Sequence, residues 1–173
     1  MRRIGLCFLL VFLTTVMTAC TPSPNFELYK GDSLYIAVIG EAPKVNEGQV
    51  RFTKINFNQL TSTELKPYDA VFISENNLFE AAESQYADVY LNSTIPFFFI
   101  GTDMYFPFTE KDIEYDEAWD WSVGQMFAVG VLNAKQDDKL NFWKYGLYND
   151  EKTEDHIEDV YSRIFGTIDE LNY

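Results

Sequence analysis

Sulfur and imidazole are almost missing from this chain. Its 173 residues hold two cysteines, Cys7 and Cys20, and one histidine, His156. Residues 21–173 contain no cysteine, which excludes a disulfide framework, a thiol nucleophile and a thiolate metal site from that stretch. A single histidine excludes a histidine-rich metal centre, and any Ser-His-Asp triad would have to use His156. Positive charge is scarce as well: 13 Lys and Arg stand against 27 Asp and Glu, a net charge of −14. Phosphate neutralisation needs clustered Lys and Arg, so nucleic-acid binding is excluded. The polybasic face that would lie flat on an anionic bilayer is missing too. There is no internal repeat and no low-complexity segment. No apolar run reaches the roughly 20 residues that span a bilayer.

What is present is apolar and aromatic. Hydrophobic residues make up 47% of the chain and aromatics 17%, enough to fill one core and to argue against wholesale disorder. The length beyond the N-terminal segment suits a single domain.

That N-terminal segment has a strict order. Arg2 and Arg3 come first, apolar residues 4–16 follow, and Val16-Met17-Thr18-Ala19 lead into Cys20. A positive head, a short apolar run and small residues before a cut make an export signal. With cysteine next, the stretch resembles a bacterial lipoprotein lipobox. The resemblance implies that Cys20 receives diacylglycerol on its sulfur, that residues 1–19 are removed, and that the new amino terminus is acylated. Plain secretion and an uncleaved anchor are the competing readings. Met17 and Ala19 make a poor small-x-small site for the first; the run is too short and carries Thr14 and Thr15 against the second. Cys7 is an apolar filler discarded with the signal. Loss of Arg2 and Arg3 leaves 11 Lys and Arg against 27 acids, a net charge of −16. The expected location is the extracytoplasmic face of a cell membrane, where lipid at Cys20 is the membrane contact. Each buried methylene contributes about 0.8 kcal/mol, so two or three acyl chains suffice.

Residues 20–33 read as the lipidated cysteine and a tether, with Pro22, Pro24, Gly31 and Asp32 as stiff or turn-forming positions. Such a segment reaches roughly 20 Å. Residues 34–173 read as one α/β domain. Leu34-Tyr35-Ile36-Ala37-Val38-Ile39 is a strand buried on both faces, stopped by Gly40. Residues 50–57 alternate and form a second, more exposed strand. Pro43 and Gly48 lie between these strands, where a crossover helix would be short or degenerate. Residues 60–66 suit a short helix, 68–73 a third strand, 78–90 an amphipathic helix and 95–100 a fourth strand. Residues 119–133 fit either helix or strand. Residues 140–148 read as a fifth strand. Thr153 caps a closing helix whose first turn holds Glu154 and Asp155, favourable to its dipole.

Alternating strands and helices predict a three-layer α/β sandwich. The expected sheet is five-stranded and mostly parallel, in order 2-1-3-4-5. The stretch "YDAVFIS", a helix and then "IPFFFIG" resembles the middle of flavodoxin-like, receiver-like and amidotransferase-like domains, which implies a fold but no activity. The chemistry of those families is not carried over. Receiver domains need an Asp where Ser74 stands and a Lys that Tyr148-Asn149-Asp150 lacks. Amidotransferases need a free cysteine. An FMN phosphate loop needs Ser, Thr or Gly where Glu41 would repel phosphate.

In open parallel sheets, ligands bind beyond the carboxyl ends of the strands. That rim would carry Glu41, Ser74-Glu75-Asn76-Asn77, Thr102-Asp103 and Asn149-Asp150. Glu41, Glu75 and Asp103 are the candidate ligands for a divalent cation such as Mg²⁺ or Ca²⁺; the plainer reading is solvated loop carboxylates. Asp112-x-Glu114-x-Asp116 opens like a calcium loop, but Glu117 and Val123 replace its Gly and its bidentate Glu. Tyr105, Phe106, Phe108, Trp119 and Trp121 flank those acids and suit either core packing or stacking on a sugar or a partner protein. His156 falls among acids in a first helical turn and reads as solvated, with no G-x-S-x-G elbow elsewhere. The functional expectation is a membrane-anchored lipoprotein with a non-catalytic binding or accessory role and a protein partner at the cell surface. The alternative is a divalent-metal-assisted hydrolase or transferase.

Overall fold

The computed structural model describes residues 24–134 and 139–171. The expected signal at 1–19 and the expected lipidation site at Cys20 lie outside the described residues. The elements, in chain order, are β1 (Leu34–Ile39), β2 (Val50–Ile55), α1 (Ser62–Leu65), β3 (Ala70–Ile73), α2 (Leu78–Ala81), α3 (Ser84–Asn92), β4 (Phe97–Ile100), α4 (Phe106–Thr109), β5 (Ala128–Ala134), β6 (Lys139–Tyr145) and α5 (Glu154–Leu171).

The fold is α/β, and its sheet differs from the expected one in two ways. It has six strands rather than five, in order β2-β1-β3-β4-β5-β6. It is also mixed: β2, β1, β3 and β4 run parallel, whereas β5 is antiparallel to both β4 and β6. The ambiguous stretch 119–133 supplies β5, and the predicted fifth strand is β6. Four residues separate β5 from β6, far too few for a parallel crossover of a dozen or more.

Side chains alternate across the sheet, so each central strand feeds two cores. On one face Ala37, Ile39, Val71, Ile73, Phe97 and Phe99 meet Leu65, Leu78, Ala81 and Tyr90 from α1–α3. On the other, Leu34, Ile36, Val38, Phe72 and Phe98 meet Val160, Tyr161, Ile164, Phe165 and Ile168 of α5. This helix repeats apolar residues at a period near 3.6, as its sequence predicts. Phe72 is the hub of its face: its ring stacks near Phe165 at 6.2 Å and Tyr161 at 5.8 Å. Thr153 caps α5 by accepting a hydrogen bond from the His156 backbone N–H at 3.2 Å.

The predicted helix over 78–90 is two helices. Glu83 is extended (φ −61°, ψ 131°) and separates them. The break leaves the Ala81 carbonyl available, and the buried Tyr90 hydroxyl donates to it at 2.9 Å.

The segment expected as a tether lies against the domain from Phe26 on. Phe26 sits edge-on to Tyr148 and His156, with ring centroids 5.7 and 5.5 Å apart. Tyr29 packs edge-on to Phe165 at 6.0 Å, and Gln49 Nε2 donates to the Tyr29 carbonyl at 2.8 Å. His156 is correspondingly buried, not solvated. Its Nδ1 lies 2.8 Å from the Glu151 carbonyl. Among the described residues, no helix is long and apolar enough to cross a membrane.

Candidate functional site

The connection from β1 to β2 contains no helix, and this shapes the candidate site. Pro43 and Gly48 break the stretch, which runs as a loop over the α5 face of the sheet. The next connection, from β2 to β3, puts α1 on the opposite face. The crevice between β1 and β3 is thus where the crossovers change sides, the place where open α/β sheets hold ligands. A cavity of about 820 Å³ opens at this rim beside Glu41, Ser74 and Glu75 and extends under the loop over Val50 and Phe52 of β2. Val50, Phe52, Ile100 and Phe127 form its floor. Loop residues 43–47 roof it, and Ile157, Glu158 and Tyr161 of α5 form a wall. Its size falls within the range of small-ligand sites.

Glycines set the strand ends. Gly40 follows β1 with φ +99° and Gly101 follows β4 with φ +91°. A Cβ on Gly40 would collide with the Ser74 hydroxyl, and one on Gly101 would lie 2.7 Å from Glu75 Cγ. Two backbones thereby approach Ser74 and Glu75 closely enough to hold them at the rim. Ser74 donates to Asn77 Oδ1 at 3.0 Å.

The roof is fastened to α5. Glu47 is 4% exposed, and its Oε1 accepts from the Ser162 hydroxyl and from the Tyr29 backbone N–H. Glu47 Oε2 is buried with no hydrogen-bond partner. Beside it, the Asn46 backbone N–H donates to Glu158 at 2.7 Å.

Lys152 reaches across the mouth. Its ammonium donates to Glu75 Oε2 at 2.9 Å and Oε1 at 3.2 Å. It also lies 5.6 Å from the Trp121 ring and 5.5 Å from the Phe127 ring, within cation–π range. The turn before it contains Asn149 and Asp150 with φ 51° and 55°, a left-handed pair that these residue types tolerate. Burial first, and then the Glu75 charge, raises the Tyr161 phenol above its ordinary value, so the wall is neutral there.

The structure brings Glu41 and Glu75 together at the cavity and leaves Asp103 out. Asp103 Oδ2 faces Lys144 Nζ at 3.5 Å, and its Oδ1 is buried without a partner. Thr102 is fully buried, donating to the Trp119 carbonyl at 2.8 Å. Asn149 and Asp150 do not line the cavity. Among the described residues, no group of three or more His, Cys, Asp or Glu is placed to hold a metal. The stretch resembling a calcium loop is used structurally: Asp116 caps a 3-10 turn through the Ala118 N–H at 2.8 Å. Nearby aromatics pack as core, with Phe108 stacked on Phe99 at 3.7 Å. Tyr105 instead stacks at 4.8 Å on the half-exposed Phe142.

Of the rim residues expected from sequence, Glu41, Ser74, Glu75 and Asn76 line the cavity, and sequence reasoning missed Glu47, Phe127 and Lys152. Lys152 carries a signal: it is the only cation among Asp150, Glu151, Glu154 and Asp155. Glu47 carries none, because its burial depends on a helix more than a hundred residues away. The chain matches no protein-family model, no curated protein and no solved structure.

Proposed function

We propose that this chain is a membrane-anchored lipoprotein on the extracytoplasmic face, with a non-catalytic binding or accessory role, and that the cavity under the β1–β2 loop is its binding site. The observation that carries the binding role is that cavity of about 820 Å³ at the point where the crossovers change sides. Its floor is apolar, its roof is held by Glu47 and Ser162, and Glu75 is engaged by Lys152 rather than left as a metal ligand. The anchor rests on Arg2, Arg3, the apolar run and Cys20.

Two measurements test the two halves. Intact mass and detergent partition of the full-length chain expressed in a bacterium should show loss of residues 1–19 and an added diacylglycerol. The Cys20→Ser variant should lose both lipid and membrane association; an unlipidated parent chain overturns the anchor. For the binding role, a thermal-melt screen with small cationic, neutral and anionic aromatic compounds should yield stabilisers, because a ligand of the folded state raises stability by mass action. Val45→Trp, which fills the cavity from its roof, should abolish the shifts. A screen with no stabiliser overturns the binding role.

A further inference from the structure

We infer that the cavity takes an organic cation, an ammonium group on an apolar body, and that Lys152 occupies its cation subsite in the unliganded protein. This rests on the binding role proposed above. The Lys152 ammonium lies between the Glu75 carboxylate, at 2.9 and 3.2 Å, and the faces of Trp121 and Phe127, at 5.6 and 5.5 Å. One carboxylate and two aromatic faces make a cation cage, the arrangement that recognises organic ammonium groups. Glu75 and Phe127 belong to the cavity lining, so the cage opens into the cavity rather than onto free surface.

The rest of the lining has the same preference. Six acidic residues line the cavity, one of them Glu47 with its carboxylate buried, against two lysines, Lys44 and Lys152. Lys152 is already matched to Glu75, which leaves an excess of negative charge for an incoming cation. An anionic ligand would meet repulsion from Glu41, Glu154 and Asp155 at the mouth. Phe52, Ile100 and Ile157 provide an apolar surface for the body of the ligand. A ligand ammonium would displace the Lys152 head from Glu75 and the rings. Lys152, on a flexible stem and 36% exposed, can swing into water when displaced. Lys152 is thus an internal competitor.

The test uses three probes of one shape: phenethylammonium, phenethyl alcohol and phenylacetate, titrated calorimetrically into the full-length chain and its Lys152→Ala variant. The cation should bind tightest and phenylacetate weakest. Lys152→Ala should tighten phenethylammonium by about threefold to thirtyfold, the range of a recovered cation–π contact. The alcohol should not gain. Adding Glu75→Gln to Lys152→Ala should remove most of that gain, and unchanged melting temperatures would show that neither variant acts by unfolding. Alcohol binding as tight as the cation, or phenylacetate binding tightest, overturns the cation preference while leaving a binding cavity. A cation that gains nothing from Lys152→Ala overturns the internal-competitor role. Absence of binding by all three probes to both forms overturns the inference and the cavity's binding role together.

Discussion

Removing the Ser162 hydroxyl tests how the cavity is roofed. Glu47 is almost wholly buried, and its Oε1 has two donors, Ser162 Oγ and the Tyr29 N–H at 3.3 Å. Its Oε2 has none. Ser162→Ala would leave a buried carboxylate with a single backbone donor. A hydrogen bond to a charged group contributes about 1.5–3 kcal/mol, and an under-satisfied buried acceptor bears a desolvation cost of similar size. We expect a stability loss of about 2 kcal/mol, read as a melting temperature lower by roughly 4–8 °C for a chain of this length. The assay is urea and thermal denaturation of the parent, Ser162→Ala, Glu47→Ala and the double variant. Glu47→Ala removes the buried charge together with its hydrogen bonds, so the second substitution should cost less in its background. The coupling between the two should be about 1 kcal/mol or more, because the groups touch. If Ser162→Ala stays within about 0.5 kcal/mol of the parent, or the two effects simply add, the contact does not hold the roof, and the reasoning fails.

Alkali and backbone strain offer two further tests. Burial holds the phenols of Tyr90, Tyr115 and Tyr161 above the ordinary value of 10.0, while the unfolded chain titrates near that value. Above pH 10 the native state therefore binds more protons than the unfolded one. Stability should be complete below about pH 10 and fall as pH rises beyond it, with tyrosinate absorbance appearing together with unfolding. Tyr90→Phe should flatten that decline; an alkaline limb of unchanged slope would refute the assignment. Gly101→Ala should lower the melting temperature by about 2–8 °C, because a left-handed residue with a Cβ costs about 1–2 kcal/mol and this Cβ would also crowd Glu75. An unchanged melt would show that the backbone relaxes there without cost.

The parallel half of the sheet was legible because β1, β3 and β4 are near-continuous apolar runs, two of them stopped by glycine, and β2 alternates. Apart from Tyr35, the residues of β1, β3 and β4 are buried on both faces. The closing helix was legible from the spacing of Ile157, Val160, Tyr161, Ile164 and Phe165. The antiparallel half was not. Phe127 to Leu132 is a short apolar run that suits strand or helix equally, and a run carries no record of chain direction. Gly130 deepens the ambiguity, since its reason is tertiary: a Cβ there would strike the Phe98 ring. The rim was legible as a list of acids. Which of them meet was not, since the separation of Asp103 from Glu41 and Glu75 depends on Lys144 in β6.

The long reach of the roof contacts has a consequence for the order of folding. Glu47 meets Ser162 across 115 positions of sequence, and Asn46 meets Glu158 across 112. Contacts this distant form only after a large loop has closed, so they come late and weigh on the folding rate. The strands β1, β2, β3 and β4 all lie within the first hundred residues, whereas α5, which covers one of their faces, closes the chain. A chain lacking α5 would therefore lack one wall of the cavity and the anchor of its roof. Ile157, Glu158 and Tyr161 wall the cavity and Ser162 holds its roof, so it is complete only with the last helix in place.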